Sequence, residues 1–258
     1  MGHEIPGGLD SMDDEQRFYL EDSSYSQKDR SVPFFDFHLH TNWTDGSNTV
    51  KEMYQQSVAV GLQAILYSEH GRKTSEDWFF TYVDEVRNLP SDPCVPFVGL
   101  ESKIEDFGGS LDATEDMVSA CDLVMGSVHR FPGEEGQIRG FGEIDPSEAV
   151  ETEFHLSMAA LENPVLDILG HPFGMSYRRF GVEPDEEKVL TVIEQAAKNN
   201  KAIEINSRYH PAPWLWIRWC LEAGAMISLG SNAHELASVG QIIRILKGEE
   251  ESWNRSES

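Results

Sequence analysis

Basic residues are scarce in this chain. Lys and Arg together number 20 against 45 Asp and Glu, which gives a formal net charge of −25 over 258 residues. Nucleic-acid binding depends on Lys and Arg displacing the counterions of a phosphate backbone. A general nucleic-acid partner is therefore not expected, and neither is an anionic membrane surface. Cysteine is also scarce. Cys94, Cys121 and Cys220 stand far apart and are odd in number, which argues against a disulfide framework or a thiolate zinc site. The cytoplasm, a reducing compartment, fits such usage. No apolar run approaches the roughly 18–20 residues of a membrane span. Met1 to Arg30 carries eight acids against three bases and no apolar stretch, so a secretory signal peptide is not expected there.

What the chain does contain is enough for a sizeable core: 40% hydrophobic and 10% aromatic residues. Residues 1–31 read as a polar, acidic tail, and residues 249–258 as an acidic C-terminal tail. Residues 32–248 form one continuous pattern without a long Pro, Gly or Ser linker. Short apolar runs alternate there with longer amphipathic ones. The predicted strands are Pro33–Phe37, Gln63–Tyr67, Val95–Leu100, Leu123–Ser127, Val165–Leu169, Ala202–Ile205 and Met226–Leu229. The predicted helices are Val50–Val60, Ser75–Asn88, Thr114–Ala120, Ser147–Ala160, Glu186–Asn199, Trp214–Glu222 and Leu236–Lys247. Alternation of this kind predicts a parallel α/β sheet built from βαβ units. Seven units in so short a span favour a closed or nearly closed barrel. An open doubly wound sheet is the alternative. Its Gly-rich phosphate loop after the first strand is missing, and His38-Leu39-His40 stands in that place.

The ends of the predicted strands carry the chemistry. His38 and His40 follow the first, with Asp45 further on. Glu69 and His70 follow the second and Glu101 the third. His129-Arg130 and His171-Pro172 follow the fourth and fifth. The sixth ends in Glu204 and Asn206, and the seventh runs into Asn232 and His234. Six of the nine histidines sit at such ends. In a parallel barrel these ends open on one face, where active sites are built. A single His-Pro or Ser-Val-His is more often a capped turn or a buried core histidine. The joint pattern is what points to a multinuclear metal site.

Imidazole with carboxylate and no thiolate suits Zn²⁺, Mn²⁺ or Fe²⁺. Several divalent ions among few carboxylates would make a positive pocket inside an acidic protein and draw in an anionic group. Arg130, Arg178, Arg179 and Arg208 fall beside the same strand ends. Arginine clamps phosphate in a bidentate manner, although each could equally be a surface ion pair.

These motifs resemble the PHP family, named for polymerase and histidinol phosphatase. They are Asp36-Phe37-His38-Leu39-His40-Thr41 with Asp45-Gly46, Ser68-Glu69-His70, Gly99-Leu100-Glu101, Ser127-Val128-His129, Gly170-His171-Pro172, Glu204-Ile205-Asn206 and Gly230-Ser231-Asn232-Ala233-His234. The likeness runs in order from about residue 33 to 247. It implies a (β/α)7 distorted TIM-like barrel with two to three divalent metal ions. It also implies a division of ligands: His38, His40, Glu101 and Asn232 for one ion; Glu101 as a bridge with His129 and His171 for a second; Asp45, His70 and His234 for a third. Glu101 and His234 are the candidates for a direct catalytic role, and Arg130, Arg179 and Arg208 for substrate binding. The activity implied is hydrolysis of a small phosphomonoester, histidinol-phosphate-like or nucleotide-like, by a hydroxide held between two ions.

Two positions depart from the family pattern. Asn232 stands where Asp is usual, and a neutral amide oxygen is the weaker ligand. Glu69 replaces an Asp, at a place better suited to supporting a ligand than to being one. A non-catalytic metal-binding domain weakened at Asn232 is therefore the alternative function. An amidohydrolase-type barrel would want eight strands and a metal-bridging Lys, neither of which is found. Trp214, Trp216 and Trp219 cannot all share one helix face, and packing is their expected role. His210, next to Pro211 in the loop after Asn206, stands within reach of the pocket.

Overall fold

The computed structural model describes residues 32–133 and 137–249. The predicted N-terminal tail, and the C-terminal tail beyond Glu249, lie outside the described residues. Seven strands alternate with seven α-helices. They are β1 (Phe35–Leu39), α1 (Val50–Ala59), β2 (Ala64–Glu69), α2 (Glu76–Arg87), β3 (Val95–Lys103), α3 (Glu115–Ala120), β4 (Leu123–Ser127), α4 (Pro146–Leu161), β5 (Ile168–Gly170), α5 (Glu186–Lys198), β6 (Ala202–Asn206), α6 (Pro213–Ala223), β7 (Met226–Gly230) and α7 (Gln241–Lys247). The strands lie in chain order, each parallel to the next. Just past β7 the His40 amide donates to the Ala233 carbonyl (2.9 Å), and the Ala233 amide donates to that of His38 (3.0 Å). This bridge brings β1 beside β7 and makes the sheet a nearly closed (β/α)7 barrel.

Every residue of β1, β2, β5 and β6 is buried, as expected of parallel strands covered on both faces. The helices begin where the side chains dictate. Thr49 and Glu52 form a reciprocal capping box at α1, Thr114 caps α3, and Asp145 precedes Pro146 at the start of α4. Such caps satisfy amides that have no partner within the helix. Closure has a polar stitch as well. The buried Asp36 carboxylate on β1 accepts from the amides of Ser231 (2.8 Å) and Gly240 (2.9 Å).

Three expectations change. The first strand begins later than predicted and runs through His38, because buried polar residues extend it past its apolar stretch. The fifth is shorter: Pro164 cannot donate to a ladder, Val165 is 40% exposed, and pairing starts at Ile168. The predicted helix Leu236–Lys247 is broken. A short 3₁₀ turn covers Leu236–Ser238, and Gly240 at φ 72° precedes α7, a conformation that favours glycine.

Candidate metal centre

Glu101 lies at the heart of the strand-end face. It sits on β3, its side chain 1% exposed, and each of its oxygens meets imidazole. Its Oε1 lies 2.9 Å from His171 Nε2 and 3.1 Å from His129 Nε2. Its Oε2 lies 3.0 Å from His70 Nδ1, 3.3 Å from His38 Nε2 and 3.4 Å from His40 Nε2. Five imidazoles from the ends of four strands, β1, β2, β4 and β5, thus surround one carboxylate. Burial alone would push this carboxyl up, but His129, His38 and His70 beside it outweigh burial and hold it well below its ordinary range. The same contacts act on His70. Burial disfavours its cation, yet Glu101 and Asp45 raise it to about 10.

The outer part of the ring is more open. His234 Nε2 is 3.3 Å from Asp45 Oδ1, and His70 Nε2 is 3.5 Å from Asp45 Oδ2, with the Asp45 side chain 56% exposed. The His40 ring lies 4.3 Å, centroid to centroid, from those of both His70 and His234. His234 Nδ1 lies 2.9 Å from the Asn232 carbonyl oxygen, and its Nε2 faces Asp45.

Three groups of donors are close enough to share an ion: His40 with Asp45, His70 and His234; His38 with Glu101 and His171; and His70 with Glu101 and His129. Glu101 and His70 each serve two groups. All eight expected imidazole and carboxylate ligands are in these groups, although the groups cut across the division that the family resemblance implies. The ninth, Asn232, stands in the left-handed region at φ 49°, and its Oδ1 is buried with no hydrogen-bond partner.

The donor set fits divalent cations. Glu204 Oε1 lies 2.7 Å from His38 Nδ1 and so keeps the hydrogen there. The His38 Nε2 lone pair then faces His40 Nε2 at 3.0 Å and Glu101 Oε2. Imidazole nitrogens and an anionic oxygen converge here, the donor types that suit such ions. Glu101 Oε2 has three imidazole nitrogens within 3.0–3.4 Å but no hydrogen bond of good geometry, an arrangement that a cation between them would satisfy.

The supporting layer is tightly built. Glu204 on β6 also accepts from the His171 amide (2.6 Å) and from Asn206 Nδ2 (2.6 Å). A Cβ at Gly230 would sit 2.0 Å from Glu204 Oε1 and 2.8 Å from the His38 Cβ, so only glycine leaves room for this contact. His171 itself has φ 27° and Phe173 φ 61°, backbone strain of the kind concentrated at functional sites. The buried Glu69 accepts from the Thr41 amide (2.7 Å) and the Thr44 hydroxyl. It therefore braces the loop after β1, as its sequence position suggests, and burial raises it to about 7. His210 does not enter the pocket. It accepts from the Asn206 amide (3.0 Å), donates to the Pro172 carbonyl (3.1 Å) and stacks on the buried Trp216 (4.3 Å). Burial pushes it down to about 4.

The predicted arginines occupy the rim. Arg208 NH1 is 3.1 Å from His234 Nδ1 and 3.4 Å from the Asn232 carbonyl. Arg178 donates to the Arg208 carbonyl (2.9 Å). Arg130 and Arg179 both lie over Phe141. Sequence reasoning missed Tyr209, whose ring stacks on His171 at 4.3 Å. It also missed Glu153 on α4, which accepts from the Met175 and Ser176 amides below the arginine-bearing turn. Neither belongs to a spacing motif. Only the fold brings them to the site.

The PHP domain family model matches residues 36–208. A probable phosphatase of Thermoanaerobacter sp. (strain X514) is 29% identical over 223 residues, covering 82% of this chain and 83% of its own. Among solved structures, the hisK protein of Listeria monocytogenes superposes at a TM-score of 0.68 with 15% identity, over 80% of this chain and 97% of that one. A histidinol phosphate phosphatase of Lactococcus lactis, solved with zinc, L-histidinol and phosphate, gives 0.58 with 16% identity, over 85% and 94%. This is the fold and strand-end face of a barrel metallohydrolase. The chain belongs to the PHP domain family.

Proposed function

We propose that the chain is a metal-dependent phosphatase that hydrolyses a small phosphomonoester, histidinol-phosphate-like or nucleotide-like, with two to three Zn, Mn or Fe ions. The observation that carries this reading is Glu101, a buried carboxylate with imidazole against both oxygens. Kinship with probable phosphatases supports the enzyme class. We take the ligands to divide as the family pattern implies (His38, His40, Glu101 and Asn232; Glu101, His129 and His171; Asp45, His70 and His234), while around Glu101 the structure itself brings His38 together with His171 and His70 with His129.

Divalent ions, when bound, supply a water nucleophile at neutral pH and offset phosphoryl charge. The chain's residues do the rest. Glu204 fixes the His38 tautomer and orients the ring. Glu101 holds the two halves of the ligand ring in register. His234, 23% exposed on its side chain, faces the opening through which a leaving oxygen departs. Arg208 beside it presents a guanidinium to phosphoryl oxygens. The acidic balance of the chain supports a small substrate over nucleic acid. Its three free cysteines support the cytoplasm as its compartment.

The test is a panel of phosphate esters assayed with Mn²⁺, Zn²⁺ and Fe²⁺, paired with elemental analysis of the same samples. Metal-dependent phosphate release is expected. Full metal occupancy without turnover of any ester would make the chain a non-catalytic metal-binding domain, the reading that Asn232 favours.

A further inference from the structure

Phe141 lies in a short 3₁₀ turn, Phe141–Glu143, between β4 and α4. The guanidinium carbons of Arg130 and Arg179 lie 4.8 Å and 4.2 Å from its ring centroid. Two groups so close to one point are no more than about 9 Å apart. The ring is itself fixed, edge to face, by the buried Phe131 at 6.5 Å and by Phe180 at 6.3 Å. Those two also pack against each other at 5.6 Å. The two cations therefore share one aromatic platform.

Among the described residues neither arginine has a carboxylate within ion-pair distance. Among the described residues Arg130 makes one long hydrogen bond, 3.4 Å, to the carbonyl of His129. Elsewhere arginines find partners: Arg87 pairs with Asp122 and Arg139 with Glu148. Two like charges no more than about 9 Å apart repel. The aromatic face holds them in place and lowers the entropy that a ligand must overcome to order them. Such a pair matches a phosphate or carboxylate group, which guanidinium binds in a fork.

We propose that Arg130 and Arg179 on Phe141 form a second anion subsite beside the metal ring, and that the substrate's leaving group carries a further phosphate or carboxylate. This rests on the phosphatase reading above for its scissile phosphate. Arg130 directly follows the ligand His129, so a substrate phosphorylated at the ring reaches the pair with its other end. A cationic leaving group, such as histidinol with its amine, would meet two like charges there. Of the two substrate types named above, the pair thus selects against the histidinol-phosphate-like amines and for phosphorylated acids and bisphosphates.

The test is calorimetric titration of the metal-loaded full chain with non-hydrolysable probes. These are ω-phosphonocarboxylates of stepwise increasing length, each compared with the alkylphosphonate of the same length. At one length or more the carboxylate-bearing probe should bind about tenfold tighter, or about 1.4 kcal/mol. In the Arg130→Gln/Arg179→Gln chain, with metal content verified, that ratio should fall towards one. A ratio near one at every length in the natural chain would overturn the proposal. So would a ratio that survives the double substitution. The readout is binding, so it is separate from turnover. An intact ratio in a chain that hydrolyses no ester would support the subsite and sink the phosphatase reading instead.

Discussion

Replacing Glu204 by Gln changes one oxygen to an amide and nothing in size. All three neighbours of this carboxylate are donors: His38 Nδ1 at 2.7 Å, Asn206 Nδ2 at 2.6 Å and the His171 amide at 2.6 Å. A glutamine has only one acceptor oxygen. If its NH₂ faces the His171 amide, two buried donors oppose each other. If it faces His38, that ring must shift its hydrogen to Nε2 and lose the lone pair aimed at the ring centre. The site cannot relax, since Gly230 leaves no space behind Glu204. A buried donor left unpaired costs about 1–3 kcal/mol. Loss of the group that orients a metal-bound histidine weakens metal by about 10–100-fold. The assay is competition with a chromogenic chelator, read for the natural chain and the Glu204→Gln chain. We expect a weakening within that range and a lower melting temperature. Equal affinity in the two chains would refute the claim that Glu204 sets the donor state of His38.

Asn232→Asp should tighten metal by about tenfold or more, equivalent to about 1.4 kcal/mol. Both residues tolerate the left-handed backbone found there, so an unchanged affinity in metal titration would show that this side chain is not a ligand. His129→Ala together with His171→Ala should lose about one ion per chain by elemental analysis, and retention of the full complement would contradict the proposed division. Glu153 is raised from 4.5 to about 7, chiefly by burial. A raised carboxyl binds its proton more tightly in the folded state, so its stabilising contribution is full below pH 4.5 and is lost as pH rises through 7. Glu153→Gln should therefore gain stability relative to the natural chain across that window, by on the order of 3 kcal/mol at most. Parallel pH profiles in thermal unfolding would count against it.

The sequence made the barrel legible because its strands are apolar on both faces and its helices are capped by local signals such as Thr49 with Glu52. Strand limits were less legible where buried polar residues continue the strand. His38 reads as a loop residue, yet it sits inside β1. Gly240 was passed over because a single glycine is compatible with a helical pattern until its positive φ is seen. At the site, the histidines were visible from their repeated place after apolar runs. The carboxylate–imidazole hub at Glu101 was not, because it is a convergence of five separate segments. The hydrogen bond of Glu204 to His38 spans 166 residues, and the pairing of Arg130 with Arg179 on Phe141 joins two loops. Contacts of this kind have no periodicity or spacing in the chain.

The most direct measurement of the central claim is a single titration. Chelated, metal-free protein receives Mn²⁺ or Zn²⁺ in steps, with bound ions per chain and phosphate release from a phosphomonoester read at each step. The account predicts no release from the metal-free chain, and release that rises as two to three ions fill the ring around Glu101. Release without bound metal, or a filled ring that releases no phosphate from any ester, would contradict it.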